Sequence, residues 1–339
     1  MRYASIWSKP FSEMRCEMAK QYIGVDIGGT KCALTLGREC DGAIEILYKK
    51  QFPTVGTPNE VLDRFCGEIQ AALLNIGAEA SDFSAIGISC GGPLDSLRGV
   101  IQSPPNLPGW DDIFVTDFFT KRIGLPAYLE NDANACAIAE WRWGAGKGTG
   151  NMIFLTFGTG LGAGLILDGK LYSGTNGNAG EIGHVRLRAD GPVGYGKLGS
   201  AEGFCSGGGL AQQGRTAAEL DPIAAAPLLV ACGGLDGINA KEIAILADAG
   251  DAFCQSIYTT CGEMLGETLA LLVDLFNPEA IVLGGVYMRS SNLLAAGMQK
   301  TLAREALPQS VAVCRILPAG LGEHIGDYAA LAIAACVQS

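Results

Sequence analysis

The sequence predicts an α/β fold that contains two copies of one unit, a strand, a glycine-rich turn and a second strand. The first copy runs from Tyr22 to Leu36 and turns at Gly28-Gly29-Thr30-Lys31. The second copy runs from Met152 to Leu167 and turns at Gly158-Thr159-Gly160. Apolar runs of strand length alternate with segments of helical periodicity, which is typical of α/β proteins. The two similar turns indicate a duplicated architecture.

The first copy is followed by elements of alternating type. One apolar face over residues 62–76 predicts a helix, and Ala85 to Ser89 predicts a buried strand that runs into Gly91-Gly92-Pro93. The strand Ala127 to Leu129 leads to Glu130-Asn131-Asp132, and a helix is expected over 133–143. Polar and glycine residues therefore follow the ends of predicted strands.

The second copy is followed by a polar, glycine-rich loop at about 173–209. Helices are expected at about 240–249 and 251–276, before a strand at 280–283 that ends in Gly284-Gly285. Residues 328–337 predict a terminal helix. Residues 1–20 show no clear periodicity and no apolar core of a signal peptide, so a loose extension is expected there.

Composition restricts the possible functions. A chain of 339 residues, 48% of them apolar, is long enough for two domains. The net charge of -11 disfavours a nucleic-acid or membrane-surface partner. The twelve cysteines form no C-x-x-C pair, which favours reduced thiols in a cytoplasmic protein.

Both glycine turns could hold phosphate groups. Gly28 and Gly29 allow backbone N–H groups to face an anion, Thr30 adds a hydroxyl donor, and Lys31 adds positive charge. Asp26, at the strand end, could hold Mg²⁺ or its waters. Gly158-Thr159-Gly160 has the same capacity. The alternative is a pair of ordinary hairpin turns. Because each turn joins two strands and opens no helix, neither is a Walker A loop or a Rossmann fingerprint.

Further polar residues are candidates for binding or proton transfer. Asp132 opens a helix, so it could be an N-cap, or it could accept a proton from a hydroxyl at the mouth of a cleft. Glu181, His184 and Glu202 lie in the glycine-rich loop, a composition that suits polyol binding. His184 could equally be a hydrogen-bonded structural residue.

From about Tyr22 to its C-terminus, the chain resembles the ROK family (repressors, open reading frames and sugar kinases). Several segments, in the family's order, carry the resemblance. They are Asp26 to Lys31, Gly91-Gly92-Pro93, Glu130 to Ala135, Gly158 to Gly162, Gly180 to His184, Glu202 with Ser206-Gly207, and Leu283-Gly284-Gly285.

The resemblance implies the duplicated ribonuclease-H-like fold of actin and hexokinase, with two lobes, and an ATP-dependent sugar kinase that uses Mg²⁺. Residues 21–132 and a terminal helix at about 326–339 would form one lobe, and residues 133–325 the other. Asp132 would be the catalytic base. The residues implied to contact the sugar are Gly92, Asn131, Asp132, Glu181, His184 and Glu202. Those implied to bind the nucleotide are Asp26, Gly28, Gly29, Thr30, Lys31, Gly158, Thr159, Gly160, Gly284 and Gly285.

The chain departs from the family at its zinc motif. The family usually carries Cys-x-Cys-Gly-x-x-Gly-Cys before the equivalent of Glu202, whereas residues 193–200 here contain no cysteine. His184 keeps the position of the fourth ligand, but a structural zinc site needs four nitrogen or sulfur ligands. We therefore expect no zinc, and we expect the loop to be held by packing and hydrogen bonds.

The resemblance also suggests alternatives and partners. Some ROK proteins are repressors with a DNA-binding module before the first glycine turn, but only about twenty residues precede it here. A catalytically weak sugar sensor without a DNA-binding domain is a second alternative. The family expectation for assembly is a homodimer, and the particular sugar is left open.

Overall fold

The computed structural model describes residues 19–336, and these divide into two compact units. Unit 1 comprises the chain up to Ala135 and the residues from Gly326 onward, and unit 2 comprises Cys136–Ile325. The predicted extension at 1–20 lies almost wholly outside the described residues, as do the last three residues of the predicted terminal helix.

Unit 1 is built on a five-stranded sheet. Unit 1 as a whole has eight strands in its described residues. In chain order they are β1 (Lys20–Ile27), β2 (Lys31–Cys40), β3 (Ala43–Pro53), β4 (Ala85–Cys90), the short β5 (Leu94–Asp95), β6 (Val100–Ile101) and β7 (Ile113–Phe114), and β8 (Ala127–Asn131). The sheet order is β3-β2-β1-β4-β8, while β5, β6 and β7 form a separate small sheet. Strands β1, β4 and β8 are parallel, and β2 is antiparallel to β1 and β3.

Helices of unit 1 begin and end at residues that favour those positions. They are α1 (Pro58–Ile76), α2 (Val115–Ile123) and α3 (Asp132–Trp143), the last of which continues into unit 2. Thr57 and Glu60 form a capping box at the start of α1, and Gly77 ends the helix in the left-handed conformation. The apolar face of α1 buries Leu62 and Phe65 in the core of unit 1.

Unit 2 contains a second five-stranded sheet and most of the helices. Its strands are β9 (Met152–Phe157), β10 (Leu161–Leu167), β11 (Lys170–Leu171), β12 (Val193–Gly194), β13 (Lys197–Leu198), β14 (Ala280–Leu283) and β15 (Arg315–Pro318). The helices are α4 (Ala201–Phe204), α5 (Gly207–Leu220), α6 (Ala226–Cys232), α7 (Ala240–Asp248), α8 (Ala252–Phe276), α9 (Val286–Glu305) and α10 (Pro308–Val311). Within residues 19–336 no helix is both long and apolar enough to cross a membrane.

The final helix, α11 (Ile325–Cys336), packs on the sheet of unit 1. Glycine permits this close contact, since a Cβ atom at Gly87 would lie 1.9 Å from the Ala330 carbonyl oxygen. An ion pair of 2.6 Å joins Lys49 on β3 to Asp327. The last helix therefore completes unit 1, whose first strand begins more than three hundred residues earlier in the chain.

The two sheets have the same topology. The order β11-β10-β9-β14-β15 repeats the order of unit 1, with the same parallel and antiparallel neighbours. The last six residues of β1 and the six of β9 also share one burial pattern. The predicted duplicated two-lobed α/β fold is thus confirmed. Sequence reasoning missed the small sheet of β5, β6 and β7, and it assigned to a loop the start of α5, where Ser206 caps three glycines.

Candidate active site

In unit 1 the candidate residues gather at one edge of the sheet. Asp26 on β1 is in register with Ser89 on β4, which in turn is in register with Glu130 on β8. Because these strands are parallel, their carboxyl ends meet at the same edge. Gly92 comes two residues after the end of β4. Asn131 and Asp132 come directly after Glu130, at the end of β8 and the start of α3.

Two carboxylates at this edge have raised pKa values. Burial, and secondly the negative charge of Asp132, raise the pKa of Asp26 to about 7, although a hydrogen bond from Ser89 and the charge of Lys31 act in the opposite direction. Solvent reaches the Asp132 side chain, yet the protein atoms around it exclude enough water to raise its pKa as well. Both groups therefore hold protons more tightly than ordinary aspartates.

At the start of α3, the capping residue is Asn131 and not Asp132. Asn131 Oδ1 accepts a hydrogen bond of 2.7 Å from the Asn134 amide, so Asn131 is the residue that caps the helix. Asp132 Oδ1 accepts a bond of 2.8 Å from the adjacent Ala133 amide, and the carboxylate also accepts from the amide of its own residue. The capping role considered for Asp132 thus belongs to Asn131. Buried Glu130, to which the sequence assigned no role of its own, accepts bonds from the Asn131 amide and the Asn134 side chain.

The glycine turn of unit 1 has two amides that make no hydrogen bond within the described residues. The Gly28 amide donates to the Lys31 carbonyl at 3.2 Å, whereas the Gly29 and Thr30 amides donate to no acceptor within residues 19–336. Lys31 itself is exposed. Asn106 supports the turn, since a Cβ atom at Gly29 would lie 2.2 Å from its carbonyl oxygen. Sequence reasoning gave Asn106 no role.

The glycine turn of unit 2 has the same property. The Gly158 amide donates to the Gly160 carbonyl at 3.0 Å, and the Thr159 and Gly160 amides have no acceptor in the described part of the chain. The first amides of α5 donate to the carbonyls of Gly158 and Thr159, at 2.8 and 3.3 Å. Gly285, with φ at +61°, packs against the residue before the turn and begins α9. Two helix N-termini beside this turn favour an anion.

Glu202 contacts the strand that follows this turn. Its Oε2 atom accepts a hydrogen bond of 3.0 Å from the Leu161 amide, so it fixes the start of β10 in addition to any contact with a ligand. A Cβ atom at Gly183 would lie 2.0 Å from the Leu161 carbonyl oxygen. The segment that carries Glu181 and His184 therefore lies directly against β10, with both side chains exposed.

Each unit consequently collects its own part of the candidate set. Unit 1 brings together Asp26, Gly28, Gly29, Thr30, Lys31, Gly92, Asn131 and Asp132. Unit 2 brings together Gly158, Thr159, Gly160, Glu181, His184, Glu202, Gly284 and Gly285.

Comparison with known proteins assigns the family. The chain matches the ROK family over residues 22–336. The chain belongs to the ROK family. It is 35% identical to a glucokinase of Streptomyces coelicolor over 83% of this chain and 87% of that protein. It is 32% identical to a glucokinase of Halalkalibacterium halodurans, over 90% and 92%. The structure of a ROK family glucokinase from Streptomyces griseus in complex with glucose and AMPPNP matches with a TM-score of 0.74 and 33% identity, over 94% of this chain and all of that one.

In this ROK protein a β-hairpin occupies the loop that lacks the zinc cysteines. Strands β12 and β13 are joined by Tyr195 and Gly196, whose φ angles of 44° and 74° form a two-residue turn of the type I′ kind. The Gly199 carbonyl accepts bonds from the amides of residues 187 and 188. Arg188 also forms two short hydrogen bonds with Glu267 on α8. Backbone pairing and one ion pair therefore stabilise this loop.

The arrangement of possible metal ligands bears on both zinc and magnesium. Within residues 19–336 no group of three or more His, Cys, Asp or Glu side chains is arranged to hold a metal ion. The expectation that this loop binds no zinc stays a prediction. A magnesium ion would have to take part of its ligands from water and from phosphate oxygens, as it commonly does.

Proposed function

We propose that this ROK protein transfers the γ-phosphate of ATP to the O6 hydroxyl of a hexose or N-acetylhexosamine, with Asp132 as the general base. The reaction class, ATP-dependent phosphorylation of a sugar, follows from kinase relatives that are 32–35% identical over most of the chain. The observation that supports the residue assignment best is a solvent-accessible carboxylate, with a raised pKa, at the strand edge that also carries Asp26.

Asp132 is suited to accept a proton. Its helix is capped by Asn131, and its carboxylate accepts from the amides of Asp132 and Ala133, which leaves acceptor capacity for a hydroxyl. A pKa closer to neutral makes a carboxylate a better base in its ionised form. In the proposed step Asp132 takes the hydroxyl proton, the sugar oxygen forms a bond to the γ-phosphorus, and ADP leaves with the electrons of the broken bond.

Asp26 fits a magnesium site. Its carboxylate oxygens are the ligands that Mg²⁺ prefers, and a cation there would relieve the repulsion from Asp132 that contributes to its raised pKa. We propose that Asp26 holds the ion or its waters. When bound, the ion offsets the negative charge of the phosphates.

The remaining proposed contacts are those with the phosphates, the nucleoside and the sugar. The amides of both turns that have no acceptor in the described residues, with Lys31, would bind the phosphate oxygens. Glu202 uses one carboxylate oxygen for the Leu161 amide, which leaves the other for a sugar hydroxyl. The proposed phosphate and nucleoside contacts are Gly28, Gly29, Thr30, Lys31, Gly158, Thr159, Gly160, Gly284 and Gly285. The proposed sugar contacts are Gly92, Asn131, Asp132, Glu181, His184 and Glu202.

The test is a coupled assay of ADP release with a panel of hexoses and N-acetylhexosamines, followed by NMR assignment of the phosphorylated carbon. We expect release to depend on one or a few sugars and the product to carry phosphate on C6. If no sugar stimulates ADP release while sugars still bind, the protein is a sugar-binding regulator. Metal analysis of the same preparation, with about one zinc per chain, would contradict the expected absence of zinc.

A further inference from the structure

The β12–β13 hairpin contacts the one histidine that we assign to the sugar. The rings of Tyr195 and His184 meet edge to face, with centroids 6.4 Å apart and planes at 78°. Lys197 Nζ donates a hydrogen bond of 2.7 Å to the His184 carbonyl oxygen. One hairpin therefore contacts both the ring and the main chain of His184.

The same hairpin is fixed to the helix that carries Glu202. A Cβ atom at Gly194 would lie 2.8 Å from the Glu202 Cβ atom and 2.7 Å from Ser200 Oγ, so the strand packs flush against the start of α4. Ser200 Oγ in turn accepts a bond of 3.1 Å from the Gly203 amide, which caps α4. The hairpin thus connects His184 and Glu202, two of the proposed sugar contacts.

The turn does not by itself require a tyrosine. Tyr195 has a φ of 44°, a left-handed conformation that bulky residues rarely adopt and that asparagine adopts more readily. An asparagine before Gly196 would suit a type I′ turn better. The turn therefore does not explain why the residue is a tyrosine. The ring of Tyr195 contacts the exposed ring of His184.

We propose that Tyr195 and Lys197 are positioning residues that orient His184 toward the sugar and thereby set the affinity for it. This inference rests on the proposed function. An exposed imidazole samples several rotamers, and an edge-to-face neighbour favours one of them. A second contact on the carbonyl limits movement of the backbone. The hairpin thus determines the geometry of one wall of the sugar site.

The test compares Tyr195→Asn, which keeps the turn but removes the ring, with Tyr195→Phe, which keeps the ring. We expect Tyr195→Asn to raise KM for the sugar between about twofold and about tenfold, the range typical of one aromatic pair, with unchanged kcat and KM for ATP. Tyr195→Phe should match the wild type, and Lys197→Met should raise KM for the sugar by a smaller factor. All variants should keep the wild-type melting temperature, or exceed it in the case of Tyr195→Asn.

NMR of the imidazole protons supplies a readout that does not depend on activity. The chain has two histidines, so His324→Gln assigns the spectrum. The His184 signals should shift in Tyr195→Asn and not in Tyr195→Phe. An unchanged KM for the sugar in Tyr195→Asn would overturn the inference whether or not the His184 signals shift, and so would a Tyr195→Phe variant that behaves like Tyr195→Asn. If His184→Gln leaves KM for the sugar unchanged, the assigned sugar contact is wrong and the inference fails with it.

Discussion

The two units carry different chemistry on the same sheet topology. At the second-last position of the equivalent strands, unit 1 has Asp26 and unit 2 has Thr156, each half-buried in the same burial pattern. After the next parallel strand, unit 1 has Gly91-Gly92 and unit 2 has Gly284-Gly285. Both units thus keep the glycines, but at this position only unit 1 has a carboxylate.

The feature that both units share is a pair of turn amides without an acceptor in the described residues. In each unit the turn between the first two strands leaves two consecutive amides without an acceptor in the described residues, Gly29 and Thr30 in one and Thr159 and Gly160 in the other. Such amides suit phosphate oxygens, and they need no particular side chain. The proposed metal binding and proton transfer would depend on the Asp26 and Asp132 side chains, both of which lie in unit 1.

Among the changes that compare equivalent positions of the two units, the largest effect is expected for the pair Asp26 and Thr156. Asp26→Asn should lower kcat by about 10- to 100-fold, because a proposed ligand of Mg²⁺ or of its waters is lost. Thr156→Val, the matched change in unit 2, should lower kcat less than about threefold. Steady-state kinetics at saturating Mg²⁺ measures both. Equal losses in the two variants would show that the equivalent positions do not differ in function.

Asp26 should also lower the stability of the protein at neutral pH. Its pKa of about 7 in the folded protein lies above the ordinary aspartate value of 3.8, so the folded state binds more protons between these two pH values. The free energy of unfolding of the wild type should therefore fall as pH rises from about 4 to about 7. Asp26→Asn removes this penalty, which is at most about 4 kcal/mol. Denaturant titrations should show a gain in stability that grows with pH over that range and then levels off. A pH-independent difference between Asp26→Asn and the wild type would contradict this account.

The smallest effect compares the two turns by adding one methyl group. In Gly29→Ala the new Cβ atom would meet the Asn106 carbonyl oxygen, so we expect a loss of about 1–3 kcal/mol in the free energy of unfolding. In Gly158→Ala nothing lies within 4 Å of the new atom, and stability should not change. Denaturant titration decides the matter, and a Gly158→Ala variant as unstable as Gly29→Ala would contradict it.

Sequence patterns predicted the fold well because the signals were local. Apolar strands, the two glycine turns and the apolar face of α1 lie within short windows, and together they indicated the duplication. The β12–β13 hairpin was missed because its strands have only two residues each and Tyr195 is an atypical residue for its turn. The support of Gly29 by Asn106 and the bond from Leu161 to Glu202 join distant segments, which no local pattern reveals. The site assignments themselves stay predictions.

The most direct test of the account is Asp132→Asn. Asn131 caps α3 and the Asp132 carboxylate accepts from nearby amides, so the variant should fold and bind the sugar normally. Because burial raises the pKa of Asp132, the melting temperature of the variant at neutral pH should equal or exceed that of the wild type. Without the base, kcat for sugar-dependent ADP release should fall by about 10²- to 10⁴-fold. If the variant retains more than about 5% of the wild-type rate, the loss is smaller than a general base should cause, and Asp132 does not have that role.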